Sequence, residues 1–236
     1  MAQSSRTAIY EAALARLEEA GVTYLCDCSR AEIARAASAP HAGEETRETI
    51  YPGTCRDAPR ARSFKRAPAV RLRVPEGSRV VFEDAIRGPV EQDVGREVGD
   101  FVLRRGDGVF AYQLAVAIDD ADMGITHVVR ADDLLASSAR QILLIQLLGH
   151  DRVPTYAHVP LVVAPDGERL AKRTRGATIR ELAESGVGAD SVIGALAHGL
   201  GLVADRAPRS PRQVAQALEP ISSWRREPWR LPERWP

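Results

Sequence analysis

Two thiols, Cys26 and Cys28, stand one residue apart in YLCDCSR, and the third cysteine of the chain, Cys55, follows in YPGTC. Zinc takes about four thiolate, imidazole or oxygen donors in a tetrahedron, commonly a close pair from one turn and a second pair from a distant segment. Cys26 and Cys28 supply the first pair and Cys55 a third donor. The fourth is open between His41 in the intervening loop and Tyr51, one short turn before Cys55. Ordinary burial of the thiols is the competing reading, and an odd cysteine count argues against a disulfide framework.

A second candidate is PDGERLAKRTRG, which places Arg169, Lys172, Arg173 and Arg175 behind a turn. Such a compact cationic loop can hold the charge that develops on a phosphoryl group, although a solvated basic turn is the commoner meaning of a cation cluster. Lys172 stands out because the chain otherwise uses arginine, with Lys65 its other lysine, and ammonium and guanidinium are not interchangeable near phosphate. The third candidate, FAYQLAVAIDDADMGITHVVRADDLL, holds Tyr112, Asp119, Asp120, His127 and Arg130 in an otherwise apolar stretch. Adjacent helical residues point in different directions, so Asp119 and Asp120 are expected to cap and orient the following turn rather than share a site. His127 reads as a satisfied core histidine in a buried strand. Arg130, at the end of that strand, requires a carboxylate from the protein or a ligand.

These residues need elements to position them. Ser4 and Ser5 are expected to cap a helix with an apolar stripe at Ile9, Ala12, Ala13, Leu17 and Ala20, closed by Gly21. Ser29 and Glu32 read as a capping box, which starts a short helix right after the thiol pair; residues 38 to 49 read as a loop. Alternation predicts strands near 69–74, 79–83 and 100–105, a helix over about 111–121, and a buried strand at THVVR. SSARQILLIQLLG reads as a serine-capped helix closed by Gly149. Strands flank the Pro-Asp-Gly turn, helices follow to about Leu218, and the proline-rich tail with Trp224, Trp229 and Trp235 reads as irregular, its tryptophans anchoring a loop. Strands alternating with helices give an α/β architecture.

The 236 residues suffice to bury a core, and a formal net charge of zero excludes a global field toward nucleic acid or lipid. The charged N-terminal stretch does not read as a signal peptide, and no run approaches the roughly 20 apolar residues of a membrane span. The expectation is a cytoplasmic protein with no membrane association.

Taken in order, QSSR from Gln3, YEAALARLEEAGVTYLCDCSR, YPGTCR, DFVLRRGDGVFAYQLAVAIDD, GITHVVRADDLL, RQILLIQLLG and HVPLVVAPDGERLAKR resemble the catalytic core of glutamyl-tRNA synthetases. More specifically they resemble their short paralogues, the glutamyl-queuosine tRNA(Asp) synthetases, at least to about Leu202. Each motif is modest, and the ordered set is specific. The resemblance implies a class I aminoacyl-tRNA synthetase core of Rossmann type with a small zinc-binding insertion and a C-terminal helical segment. Its divisions would be a core helix at 1–20, the insertion at 21–62, the rest of the core at 63–176, and helices with an irregular tail at 177–236. It implies structural Zn2+ on Cys26, Cys28, Tyr51 and Cys55, and Tyr112 and Arg130 in a glutamate pocket. RLAKR, that is Arg169, Leu170, Ala171, Lys172 and Arg173, would be the second ATP signature, with Lys172 the catalytic lysine acting on ATP, accompanied by Mg2+.

The implied reaction is activation of L-glutamate to glutamyl-adenylate and transfer to queuosine in the anticodon of tRNA(Asp), by a monomer. Ala171 stands where the family has serine and Arg169 where it has lysine. The family's first ATP signature would precede QSSR, so the expectation is an N-terminally incomplete core whose natural start lies upstream. A zinc- and tRNA-binding remnant without catalysis, or a truncated glutamyl-tRNA synthetase, are the alternatives.

Overall fold

A computed structural model describes residues 2–37, 49–168, 178–218 and 220–231. The first helix, α1 (Thr7–Glu19), buries Tyr10, Ala13, Leu14 and Leu17, a stripe at the helical repeat. Its cap differs from expectation. Ser4 and Ser5 lie in a 3-10 turn, Gln3–Ser5, and Arg6 occupies the cap position without a side-chain cap bond. The Ser5 hydroxyl turns back to the Ala2 carbonyl at 2.8 Å instead. Gly21, at φ 72°, closes the helix as the sequence suggests.

Along the chain follow β1 (Thr23–Cys26), α2 (Arg30–Ala37), β2 (Ala69–Leu72), β3 (Arg79–Asp84), β4 (Gly88–Asp93) and α3 (Val94–Glu97). Then come β5 (Val102–Arg104), α4 (Tyr112–Asp122), β6 (His127–Ala131) and α5 (Leu135–Leu147). The order ends with β7 (Thr155–Val159), β8 (Val162–Val163), α6 (Ile179–Glu184), α7 (Ala189–Gly199), α8 (Pro211–Gln216) and β9 (Trp229–Arg230). The chain divides into two units, one of residues 1–82, 90–126 and 136–154, the other of 83–89, 127–135 and 155–236.

In the first unit β1, β2 and β5 form an antiparallel sheet, with Thr23 opposite Leu72 and Cys26 opposite Ala69. That register places Cys26 at the sheet's end, ready to turn into Cys28. Helix α4, which buries Leu114, Ala115, Ala117 and Ile118, packs on α1 and is joined to it by a polar clasp. The Arg6 guanidinium donates to Asp119 at 2.6 Å and Asp122 at 2.7 Å, and the Tyr10 hydroxyl lies 2.9 Å from Asp119. Asp119 therefore secures the N-terminal turn through its side chain rather than orienting the turn after α4. In α5 the expected capping serines, Ser137 and Ser138, are buried inside the helix, which begins at Leu135 after a 3-10 turn, Asp132–Leu134.

The second unit carries parallel pairing of β6 with β7, from His127 opposite Thr155 to Ala131 opposite Val159, and of β3 with β7 at Asp84 opposite Tyr156. Strand β6 is not buried as expected: His127 is exposed and Val129 is 62% exposed. The Pro-Asp-Gly turn forms, with Gly167 at φ 94° and its N–H on the Ala164 carbonyl at 2.8 Å. Capping boxes start α6 (Thr178 with Glu181) and α8 (Ser210 with Gln213). Part of the tail is regular after all, because β9 pairs parallel with β8 and Trp229 is buried against Gly199. Among the described residues no helix is long and apolar enough to cross a membrane.

Candidate functional site

The thiol pair leaves β1 and is fixed at once by the predicted capping box. The Ser29 N–H donates to Glu32 at 2.7 Å and the Glu32 N–H to the Ser29 hydroxyl at 3.2 Å. Tyr51 and Cys55 approach from the segment beyond the loop, and Tyr51 bridges Gly99. Only glycine fits there, since a Cβ would meet Ile50 at 2.9 Å and φ is +69°. The three sulfurs of Cys26, Cys28 and Cys55 all lie within 4.8 Å of one another, with Cys28 and Cys55 3.5 Å apart. The Tyr51 hydroxyl oxygen is 3.4 Å from the Cys26 sulfur and 3.7 Å from that of Cys28, and it accepts the Cys55 N–H at 2.8 Å.

Zn–S bonds of about 2.3 Å and a Zn–O bond of about 2.0 Å at tetrahedral angles require S···S of ~3.8 Å and S···O of ~3.5 Å. The Cys28–Cys55 separation and the two Tyr51 oxygen–sulfur separations lie close to those values. His41, the other candidate for the fourth position, lies outside the described residues.

The electrostatics of the cluster run in both directions. Burial works to raise the Cys26 thiol, but the Tyr51 hydroxyl, the Cys28 N–H and Arg71 outweigh it and bring Cys26 below its ordinary value. Burial pushes Cys28 up to about 11, and burial, then Cys26, push the Tyr51 phenol up. A divalent ion on three thiolates and a phenolate would carry two formal negative charges, and two guanidiniums stand against the cluster. Arg71, 8% exposed, lies over the Tyr51 ring at 3.9 Å. Arg62 reaches the Cys55 sulfur at 3.4 Å and Asp27 at 2.7 Å. Asp27 also accepts the Lys65 N–H at 2.9 Å, and Arg62, then that N–H, hold its carboxyl well below the usual range.

Tyr112, the first residue of α4, is 47% exposed in the first unit. Arg130 belongs to the second unit, and its setting there is specific. Its Nε–H donates to His158 Nε2 at 3.0 Å and its Nη2 to the Leu134 carbonyl at 3.3 Å, and the guanidinium lies 5.4 Å from the Tyr156 ring centroid. Arg169, Leu170, Ala171, Lys172, Arg173 and Arg175 lie outside the described residues.

Sequence reasoning passed over the residues around these donors. The core histidine is His158 in YAHVP, fully buried with its Nδ1 2.6 Å from Asp84, and not His127. A histidine in an apolar strand needs a partner, and Asp84 in FEDAIRG was the available carboxylate. Burial lowers the His158 pKa although Asp84 opposes it. Burial works to raise Asp84, but the Arg87 N–H, His158 and further backbone N–H groups keep it below its ordinary value. A buried amide chain was missed as well: Gln141 donates to Gln113 at 3.1 Å and Gln113 to Ser137 at 3.0 Å.

Residues 1–202 match the family model described as tRNA synthetases class I (E and Q), catalytic domain. The class is set by that match and by the mixed α/β fold. Two relatives named glutamyl-Q tRNA(Asp) synthetase are similar over nearly the whole chain. The protein from Symbiobacterium thermophilum is 43% identical over 98% of this chain and 71% of its own length. That from Nocardia farcinica is 46% identical over 97% of this chain and 70% of its own. The chain belongs to the class I (E and Q) synthetase family, on the branch of the glutamyl-Q tRNA(Asp) synthetases. The fold agrees with a solved glutamate tRNA ligase from Elizabethkingia meningosepticum, at TM-score 0.74 and 22% identity over 98% of this chain and 51% of that one. A glutamate-tRNA synthetase from Elizabethkingia anophelis gives TM-score 0.75 over 98% of this chain and 52% of that one.

Proposed function

We propose that the chain is a ligase that activates L-glutamate with ATP and transfers the glutamyl group to queuosine in the anticodon of tRNA(Asp). The observation that carries this reading is the identity of 43% and 46%, over nearly all of this chain, to relatives named for that activity. A glutamate carboxylate oxygen attacks the α-phosphorus of ATP, the bond to the bridging oxygen breaks, and pyrophosphate leaves; Mg2+ would accompany ATP and offset its charge. A queuosine hydroxyl then attacks the acyl carbon and AMP departs. Arg130 would hold a glutamate carboxylate through a bidentate fork, with Tyr112 beside the amino acid. Lys172, within Arg169–Arg173, would stabilise the charge on the α-phosphate. The amide chain of Gln113, Ser137 and Gln141 would fix α4 behind Tyr112.

Residues 21–62 would form the zinc-binding insertion, with Cys26, Cys28, Tyr51 and Cys55 as ligands. The ion would be structural, joining the end of β1 to the segment around Tyr51. Residues 1–20 and 63–176 would be core, and 177–236 the C-terminal part. The protein would act as a cytoplasmic monomer.

Charging with radiolabelled glutamate tests the reaction. Queuosine-bearing tRNA(Asp) should accept glutamate, and queuosine-free tRNA(Asp) and tRNA(Glu) should not. Charging of tRNA(Glu) at a comparable rate would overturn the assignment.

A further inference from the structure

The geometry points to Asp84 and His158 as positioning residues that fix the plane of the Arg130 guanidinium for carboxylate binding, an inference that rests on the glutamate reading above. Asp84 is 1% exposed and His158 fully buried. One Asp84 oxygen takes three backbone N–H groups, from Ile86 at 3.0 Å, Arg87 at 2.8 Å and His158 at 3.2 Å. The other faces His158 Nδ1 at 2.6 Å. A carboxylate with that much donation stays ionised, so the proton of a neutral imidazole sits on Nδ1 and a lone pair on Nε2. Arg130 presents Nε–H to that lone pair at 3.0 Å. A guanidinium can only donate, so the opposite tautomer would set N–H against N–H. The relay therefore has one direction, from three backbone amides through a carboxylate and an imidazole to one edge of the guanidinium.

Further contacts add to the restraint. The Tyr156 and His158 rings stack at 6.0 Å and 16°, and Arg130 lies over the Tyr156 ring. The Leu134 carbonyl takes Nη2 at 3.3 Å. Arg87, the other guanidinium nearby, donates its Nε to the His158 carbonyl at 3.3 Å and pairs with Asp132. Burying a carboxylate and an imidazole is no route to stability by itself, since apolar residues of similar volume often serve as well or better. What the buried pair supplies is orientation. A planar fork recognises a carboxylate through two parallel bonds and so depends on the angle at which it is held.

The test uses His158→Ala, His158→Gln and Arg130→Lys, with calorimetric titration of L-glutamate and, separately, ATP. Glutamine carries a donor and an acceptor on one carbon and can restore the bridge. His158→Ala should weaken glutamate by about 10- to 100-fold, the worth of a hydrogen bond to a charged group, and leave ATP affinity unchanged. His158→Gln should recover most of the loss, and His158→Ala should add nothing in the Arg130→Lys background. The Arg130 Nε–H resonance, assigned through Arg130→Lys, gives a substrate-free readout and should be lost to solvent exchange in His158→Ala. Unchanged glutamate affinity in His158→Ala, equal weakening of ATP, or additivity with Arg130→Lys would overturn the inference. Parent protein that binds no glutamate would refute the pocket itself. The Nε–H signal would still decide the relay, its loss in His158→Ala supporting it and its persistence refuting it.

Discussion

Replacing Tyr51 by phenylalanine isolates the one donor in the thiol cluster that is not a thiol. The ring would remain, 6% exposed and beneath Arg71, so packing is conserved and only the oxygen is removed. That oxygen sits 3.4 and 3.7 Å from two sulfurs and takes the Cys55 N–H at 2.8 Å. Structural zinc in small domains binds with about 10–16 kcal/mol of apparent free energy over four ligands, so one ligand is worth about 2.5–4 kcal/mol. Zinc affinity should therefore fall by roughly 10²- to 10³-fold. A separate effect belongs to the metal-free protein, where the stranded Cys55 N–H should cost about 1–3 kcal/mol. Competition with a chromogenic chelator reads the first and denaturant unfolding in chelator the second. Elemental analysis of the parent should give one zinc per chain, and Cys55→Ser should release it. A parent without stoichiometric zinc, or a Tyr51→Phe protein that holds zinc as tightly as the parent, would refute the assignment of tyrosine as fourth ligand.

Gly199→Ala would place a Cβ 2.4 Å from the Trp229 ring, so it should cost about 1–3 kcal/mol by overpacking; a red-shifted tryptophan emission would report the displaced ring, and parent-like emission would contradict the packing. Asp100, 4% exposed, accepts from Tyr24 at 2.7 Å, the Val74 N–H at 2.9 Å and Arg56. Asp100→Ala should therefore destabilise by about 3–5 kcal/mol in urea unfolding, as expected when one partner of a buried charged pair is deleted. For pH, burial lowers the folded His158 pKa from 6.5, so the unfolded chain binds the extra proton. Its contribution to stability is complete above about 6.5 and is lost as pH falls through the lowered folded value. Asp84, also lowered, has the same sign at more acidic pH. Unfolding midpoints between pH 7 and 5 should fall more steeply for the parent than for His158→Gln, and equal slopes would count against a neutral buried His158.

Where one local signal dominates, the fold was legible. The Ser29–Glu32 capping box, the Pro-Asp-Gly turn and the helix α4 formed as read, because each depends on residues within a turn or two of one another. Ser4 and Ser5 misled because a distant clasp, Arg6 with Asp119 and Asp122, sets where α1 begins. Ser137 misled because its hydroxyl is used by a distant partner, accepting the Gln113 amide from within the helix. Strand β4, GPVEQD, carries little alternation and was missed, its existence depending on tertiary pairing. THVVR reads as buried from composition alone, yet β6 leaves His127 and Val129 exposed. At the site, the sequence marked Cys26, Cys28, Tyr51 and Cys55 but gave no sign of Arg62 and Arg71 beside them. Likewise it singled out Arg130 but not the Asp84–His158 pair behind it, since the Arg130–His158 contact spans 28 residues and the His158–Asp84 contact 74, and neither leaves a local pattern.

Asp27 lies between the two thiols and Glu32 in the helix that follows them, and both reach forward to the same stretch of chain, Asp27 to Arg62 and the Lys65 N–H, Glu32 to Lys65 and Arg66. The thiol pair is thus already tied to the stretch from Arg62 to Arg66 by protein contacts, and the conformational entropy of that closure is spent before any ion arrives. An ion entering the proposed site would load a standing scaffold and leave it without breaking those contacts. Exchange with a cellular zinc pool would then be governed by ligand dissociation at Cys28, the less buried of the thiols, rather than by the slower opening of the fold.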